Sequence, residues 1–182
     1  MWDSQVSILN SSYAKTLDLL SSGKTKAAAE EFHVNFFPAV KKIYSEAPNT
    51  YPARFSKIND WCAWVKGLYL DSGRADKALS SGKTEDAAKL LSTLRESFFK
   101  LHSETGTLQA NDYVYAIWKE AAKDQPSAAE IKSLSAKLAD AKPSSRTKKS
   151  KTDFAGACGR FQQAVDPLVA DGKIDPAEIK SL

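Results

Sequence analysis

Two identical turns constrain this chain more than any other feature of its sequence. The six residues Leu-Ser-Ser-Gly-Lys-Thr occupy positions 20–25 and again 79–84. On each side of both turns, apolar residues recur every three or four positions, which is the pattern of an amphipathic helix. Consecutive helices joined by a short loop pack antiparallel. The repeat therefore predicts an all-α protein, an up-down four-helix bundle made of two helical hairpins, with additional C-terminal helices.

The hairpin repeats are predicted at about 4–46 and 52–105, and the extra helices at about 111–140. Each predicted helix has one apolar stripe, such as Phe55, Ile58, Cys62, Val65 and Tyr69 in the third. Pro38 interrupts the stripe of the second helix, so we expect a kink near 34–38.

The repeated turn contains Gly-Lys-Thr, which suggests a phosphate-binding P-loop. That motif requires a glycine five residues before its Gly-Lys pair, where this chain has Asp18 and Lys77. Each copy also follows a predicted helix rather than a strand. We therefore expect an architectural turn, in which Gly23 adopts the left-handed conformation after one helix and Thr25 caps the next.

Charge is concentrated in one segment of the chain. Residues 141–152 contain five of the 26 basic residues, and the remaining basic residues nearly balance the 22 acidic ones. This composition predicts a basic flexible linker, with a weak site for an acidic partner as the alternative, and no nucleic-acid partner. We expect a bundle domain over 1–140 and, after the linker, a C-terminal helical segment over 153–182 packed on the bundle.

The apolar runs are too short to predict a membrane span. No signal peptide precedes the first predicted helix. Met1 is the single methionine, which is compatible with a start codon placed where a leader was removed. The location stays open between the periplasm or secretion, if a leader was removed, and the cytoplasm.

Aromatic side chains are the most unusual feature. Neighbouring pairs such as Trp61 with Trp64 and Phe98 with Phe99 cannot all face one interior. They predict a core, or an apolar surface for a protein partner or a small apolar ligand. The residues predicted for that surface are Trp61, Trp64, Phe99, Tyr115 and Trp118.

The remaining chemistry-bearing residues are few. His33 and His102 lie beside apolar stripes, where they could bind a metal or haem from facing helices of a bundle, although capping or boundary positions are the favoured explanation for both. Cys62 and Cys158 are predicted as buried free thiols, or as a disulfide in an exported protein. No nucleophile-base or paired-carboxylate set is apparent, and no cofactor is predicted. The sequence therefore favours a non-enzymatic binding bundle, with a metal- or haem-binding bundle as the alternative.

Overall fold

A computed structural model describes residues 2–47, 55, 58, 60–141, 151–170, 172 and 174–182. Over these residues the chain is all-α and divides into two compact units, unit 1 at Met1–Thr105 and unit 2 at Gly106–Leu182. The predicted boundary at 140 lies inside unit 2 instead, because the helices before and after it share one core. Most of the predicted basic linker, residues 142–150, lies outside the described residues.

Unit 1 is a four-helix bundle, as the repeat predicted. Its helices are α1 (Trp2–Ser21), α2 (Thr25–Glu31) continuing through a π-helical segment (Phe32–Phe36) into α3 (Phe37–Glu46), α4 (Trp61–Ser80) and α5 (Thr84–Thr105). The α2–α3 helix packs on both α1 and α4, and α4 packs on α5. The hydroxyl of Tyr13 on α1 donates a 3.0 Å hydrogen bond to the Leu91 carbonyl on α5, which connects the first and last helices.

The two repeated turns have the same backbone structure. Gly23 and Gly82 have φ values of 71° and 70°, as glycine at this position predicts. After each glycine, the lysine amide donates to a carbonyl five residues earlier, from Lys24 to Leu19 at 2.8 Å and from Lys83 to Ala78 at 2.9 Å. This is the Schellman ending of a helix. Since these lysine amides are engaged inside the turn, they are not available to cradle a phosphate.

The predicted N-cap of the second helix was wrong by one residue. Thr25 is already helical, and Lys24 occupies the cap position without a side-chain hydrogen bond. The Schellman ending leaves one residue between the glycine and the next helix, so the lysine takes the cap position and the threonine follows inside the helix.

Pro38 is accommodated by a π-helical segment, located where the sequence predicted a kink. Phe32–Phe36 form this segment, and the Phe37 amide donates to the Phe32 carbonyl, five residues earlier. Proline has no amide for the regular helical bond, and its ring conflicts with the carbonyl four residues before it. The wider π turn alters the carbonyl arrangement at this point, and the helix continues to Glu46.

The third helix of the bundle begins later than predicted. It starts at Trp61 rather than near 52, because the Asp60 carboxylate accepts a 2.8 Å hydrogen bond from the Ala63 amide and caps the first turn. Phe55, which was predicted on the stripe of this helix, precedes it and is buried in the core of unit 1.

Unit 2 contains α6 (Ala110–Ala121), α7 (Ala128–Ala139), α8 (Lys151–Leu168) and α9 (Pro176–Ser181). Ser127 caps α7 by accepting a hydrogen bond from the Glu130 amide. The buried residues of this unit come from all four helices and include Ile117, Ile131, Val165 and Ile179. Among the described residues, no helix combines the length and the apolar character needed to span a membrane.

Candidate functional site

Trp61, the first residue predicted for an apolar surface, belongs to the core of unit 1. Its side chain is 4% exposed. The rings of Trp2 and Phe55 lie 5.1 Å and 5.5 Å from it, between centroids. The chain preceding α4 and the start of α1 therefore cover this tryptophan, and it does not belong to an exposed surface.

Trp64 and Phe99 lie at the edge of the same core. Trp64 is half-buried, with its ring stacked on Trp61 at 5.6 Å and meeting the edge of Phe98 at 5.4 Å. Phe99, the neighbour of Phe98, is also half-buried. The neighbouring aromatic pairs are thus divided between the interior and its margin.

Tyr115 and Trp118 belong to unit 2. Trp118 is half-buried and packs against the core of that unit, and the Lys119 ammonium lies 5.8 Å from the centre of the Tyr115 ring. The five predicted surface residues therefore belong to two separate compact units, and neither unit contains all of them.

The two histidines occupy different ends of unit 1. His33 is exposed, and its Nδ1 lies 3.0 Å from an Asp76 carboxylate oxygen on α4, four residues before that helix ends. His102 is buried on α5, eighteen residues after that helix begins, with its ring 6.4 Å from Phe98. At about 1.5 Å of rise per residue, the two imidazoles are separated by roughly 20 Å along the bundle. They are not placed to bind one metal ion or one haem iron.

No cluster of three or more histidine, cysteine or carboxylate side chains in the described part of the chain could hold a metal ion. Both cysteines are free. Cys158 is buried, as predicted, and burial raises the pKa of its thiol, which disfavours the reactive thiolate. Cys62 is exposed, contrary to the prediction, because it lies on the outer side of the first turn of α4.

An exposed aromatic stack lies instead between α3 and α4. Tyr69 of α4 stacks on Tyr44 of α3, with centroids 4.6 Å apart and planes within 9°. Phe37 of α3 stacks on Tyr69 as well, at 5.8 Å and 19°. We call these three residues the aromatic ladder. Tyr44 is 41% exposed, and the other two rings are half-buried.

The local sequence explains how the aromatic ladder forms. Phe37, Lys41 and Tyr44 are spaced at i, i+4 and i+7, so they share one face of α3. The Lys41 ammonium lies 4.4 Å from the centre of the Phe37 ring, within the range of a cation–π interaction. Gly73 of α4 faces the same ring, and a Cβ at that position would be 3.5 Å from Phe37 Cζ. The ring of Phe37 therefore packs beside α4 at a distance at which a Cβ would make ordinary van der Waals contact.

Leu70 is a further exposed apolar side chain on α4. It follows Tyr69 on α4 and is 46% exposed. Sequence reasoning missed this surface because it assigned Tyr69 to the core stripe and did not consider Phe37 and Tyr44. The available signal was that each of those two residues directly follows a core residue, Phe36 or Ile43.

Comparison with known proteins does not add to this description. No family model matches the chain, and neither a curated protein nor a solved structure matches it. The arrangement at the aromatic ladder offers apolar area, ring faces and a nearby cation. These features suit binding rather than acid–base or nucleophilic chemistry.

Proposed function

We propose that this protein is a non-enzymatic binding protein that contacts a protein partner through the aromatic ladder and Leu70. The observation that supports this proposal is the stacked pair of Tyr44 and Tyr69, with Tyr44 41% exposed. Tyrosine is enriched among the residues that contribute most to protein interfaces, because its rigid ring buries a large area at a low entropic cost.

The open form of the surface favours a protein partner over a small apolar ligand. Sites for small molecules are concave and bury most of the ligand surface. Tyr44 and Leu70 project from neighbouring helices instead, with 41% and 46% of their surfaces exposed. A partner segment that lies across both helices can cover them together.

The charges around the aromatic ladder support an expectation about the charge of the partner segment. Lys41 lies over the Phe37 ring, and Lys66 lies one turn before Leu70 on α4 and is exposed. Complementary charges across an interface favour encounter and orientation. The partner segment is therefore expected to present apolar or aromatic side chains flanked by aspartate or glutamate.

A peptide-display selection tests this proposal. Peptides of random sequence are selected on the wild-type protein, and the enriched sequences are synthesised for affinity measurement by fluorescence anisotropy. We expect apolar peptides with acidic flanks. Tyr44→Ala and Leu70→Ala should each weaken their binding, by roughly 30-fold for a hot-spot tyrosine.

Leu17→Ala is the matched control, because Leu17 is 39% exposed on α1 and has no place in the aromatic ladder. Its binding should equal that of the wild type. Peptides that bind all three variants equally would contradict the proposal. Self-association that depends on Tyr44, measured by sedimentation, would identify a second copy as the occupant and would also contradict a different protein partner.

A further inference from the structure

A basic groove on the outer side of the second hairpin is separate from the aromatic ladder. It lies between the end of α4 and the start of α5, with a volume of about 440 Å³. Four cationic side chains line it, and Asp86 is the one carboxylate among its lining residues. The four cationic residues are Arg74, Lys77, Lys83 and Lys89. Ala78 and Leu90 supply apolar surface beside them.

The lysines of this groove are not neutralised by the described residues. None of Lys77, Lys83 and Lys89 forms an ion pair within the part of the chain that the structure describes. Arg74 is paired with Asp71, one turn earlier on α4, at 3.0 Å. Positive potential therefore accumulates in a concave region, where walls of low dielectric concentrate it.

The internal repeat provides a comparison within the same chain. Shifting by 59 residues places Lys15, Asp18, Lys24 and Glu30 of the first hairpin at the positions of the four cations. At two of these four positions, those of Lys77 and Lys89, the first copy thus has an acidic residue instead. Asp86, the carboxylate of the groove, matches Ala27 in the first copy, so the excess of positive charge comes from the lysine positions and is not a requirement of the hairpin fold.

The ion pair across the hairpin also differs between the copies. Lys15 binds Glu31 at 2.6 Å in the first hairpin. The equivalent positions are Arg74 and Leu90, so the second hairpin lacks an acid at this position. Leu90 therefore presents an apolar contact surface on the groove wall. Arg74 forms its ion pair within its own helix, with Asp71.

We propose that this groove binds a small organic phosphate, whose apolar body contacts Ala78 and Leu90 and whose phosphate is held by the lysines. The volume is within the range of small-molecule sites. Lysine binds phosphate as a flexible point charge, and a phosphate monoester carries nearly two negative charges at neutral pH. Binding relies on side chains here, because the backbone amide of Lys83 is used in the turn.

Titration of the full-length protein with phenyl phosphate, followed by amide shifts in ¹⁵N NMR spectra, tests this inference. Saturable shifts are expected at Ala78, Ser81 and Asp86, with weaker binding of inorganic phosphate and of phenol. The double variant Lys77→Asp/Lys89→Glu, which introduces the residues of the first hairpin, should bind about tenfold more weakly or worse.

Leu90→Glu should also weaken binding, because it restores the acid that pairs with the long cation in the first hairpin. Lys26→Glu/Lys42→Glu is the control, with the same number of lysines replaced by acids at exposed sites outside the groove. Thermal denaturation confirms that every variant is folded.

Three results would overturn the inference. They are equal affinity for inorganic phosphate and phenyl phosphate, equal binding by the groove and control variants, and tighter binding of an acidic peptide such as hexaglutamate. The last result would assign the groove to an acidic protein segment instead of a small molecule.

Discussion

Two glycines of the second hairpin should respond to the same substitution with opposite signs. Gly67 lies in the interior of α4, and a Cβ there would meet nothing within 4 Å. Gly82 ends the same helix with φ of 70°, a conformation that L-residues rarely adopt. Alanine is favoured over glycine inside a helix by about 1 kcal/mol, whereas a left-handed alanine costs roughly 1–2 kcal/mol.

The expected changes in the free energy of unfolding follow from this helix preference and this cost of a left-handed conformation. We expect Gly67→Ala to raise the free energy of unfolding of unit 1 by about 1 kcal/mol, and Gly82→Ala to lower it by about 1–2 kcal/mol. For a unit of this size, 1 kcal/mol moves the melting temperature by about 4–8 °C. The two variants should therefore melt on opposite sides of the wild type.

The measurement requires a signal from unit 1 alone. Trp2, Trp61 and Trp64 belong to unit 1, and Trp118 belongs to unit 2. Urea unfolding is therefore followed by tryptophan fluorescence in a Trp118→Phe background. If Gly67→Ala lowered the free energy of unfolding, the conclusion that a Cβ fits at position 67 would be refuted. If Gly82→Ala left it unchanged, the conclusion that residue 82 ends α4 in a left-handed conformation would be refuted.

Two carboxylates should make stability depend on pH. Burial raises the pKa of Glu31, but hydrogen bonds from Lys15 and Asn35 outweigh it and lower the pKa. In urea unfolding of unit 1, Glu31→Gln should therefore cost about 1 kcal/mol at pH 7. The difference should begin to shrink below the ordinary value of about 4.3 and be lost as the pH falls through the lowered pKa of the folded protein. The bond from Lys123 lowers the pKa of Glu120 despite burial, helped by the Ser127 amide. Glu120→Gln should destabilise unit 2 with the same pH dependence, measured by Trp118 fluorescence. For either residue, a penalty that does not shrink as the pH is lowered below about 4.3 would contradict the assignment.

The helices were predictable from the sequence because their signals are local. The predicted start of the first hairpin at about 4 and end of the second at about 105 lie within two residues of the start of α1 and the end of α5, since apolar periodicity is clear in both helices. The start of α4 was missed because Phe55 and Ile58 fit a helical spacing, and only the Asp60 cap shows where the helix begins.

The candidate sites were less predictable because they depend on which helices become neighbours. An aromatic residue beside a core stripe can cover the core, as Trp64 does, or stack across two helices, as Tyr44 and Tyr69 do. Spacing within one helix does not distinguish these outcomes. The basic groove likewise combines residues of α4, the turn and α5 that are unremarkable one at a time.

The repeat also accounts for the position of the π-helical segment. Up to its first residue, core residues match at an offset of 59, as Phe32 matches Leu91. From its last residue onward they match at 58, as Phe36 matches Leu94 and Ile43 matches Leu101; all six side chains are buried. The first copy thus contains one more residue than the second within this stretch.

A π turn accommodates one additional residue without ending the helix, because its hydrogen bonds connect residues five apart instead of four. The additional residue keeps the core in register on both sides of Phe32–Phe36. After the segment, the offset of 58 places Phe37 opposite Arg95 and Tyr44 opposite His102 in the second copy. The two residues that the first hairpin contributes to the aromatic ladder, Phe37 and Tyr44, are therefore not repeated in the second hairpin. In both hairpins the shared residues maintain the fold, and the candidate binding surfaces combine shared residues such as Lys83 with positions at which the copies have diverged, such as Lys89 and Leu90.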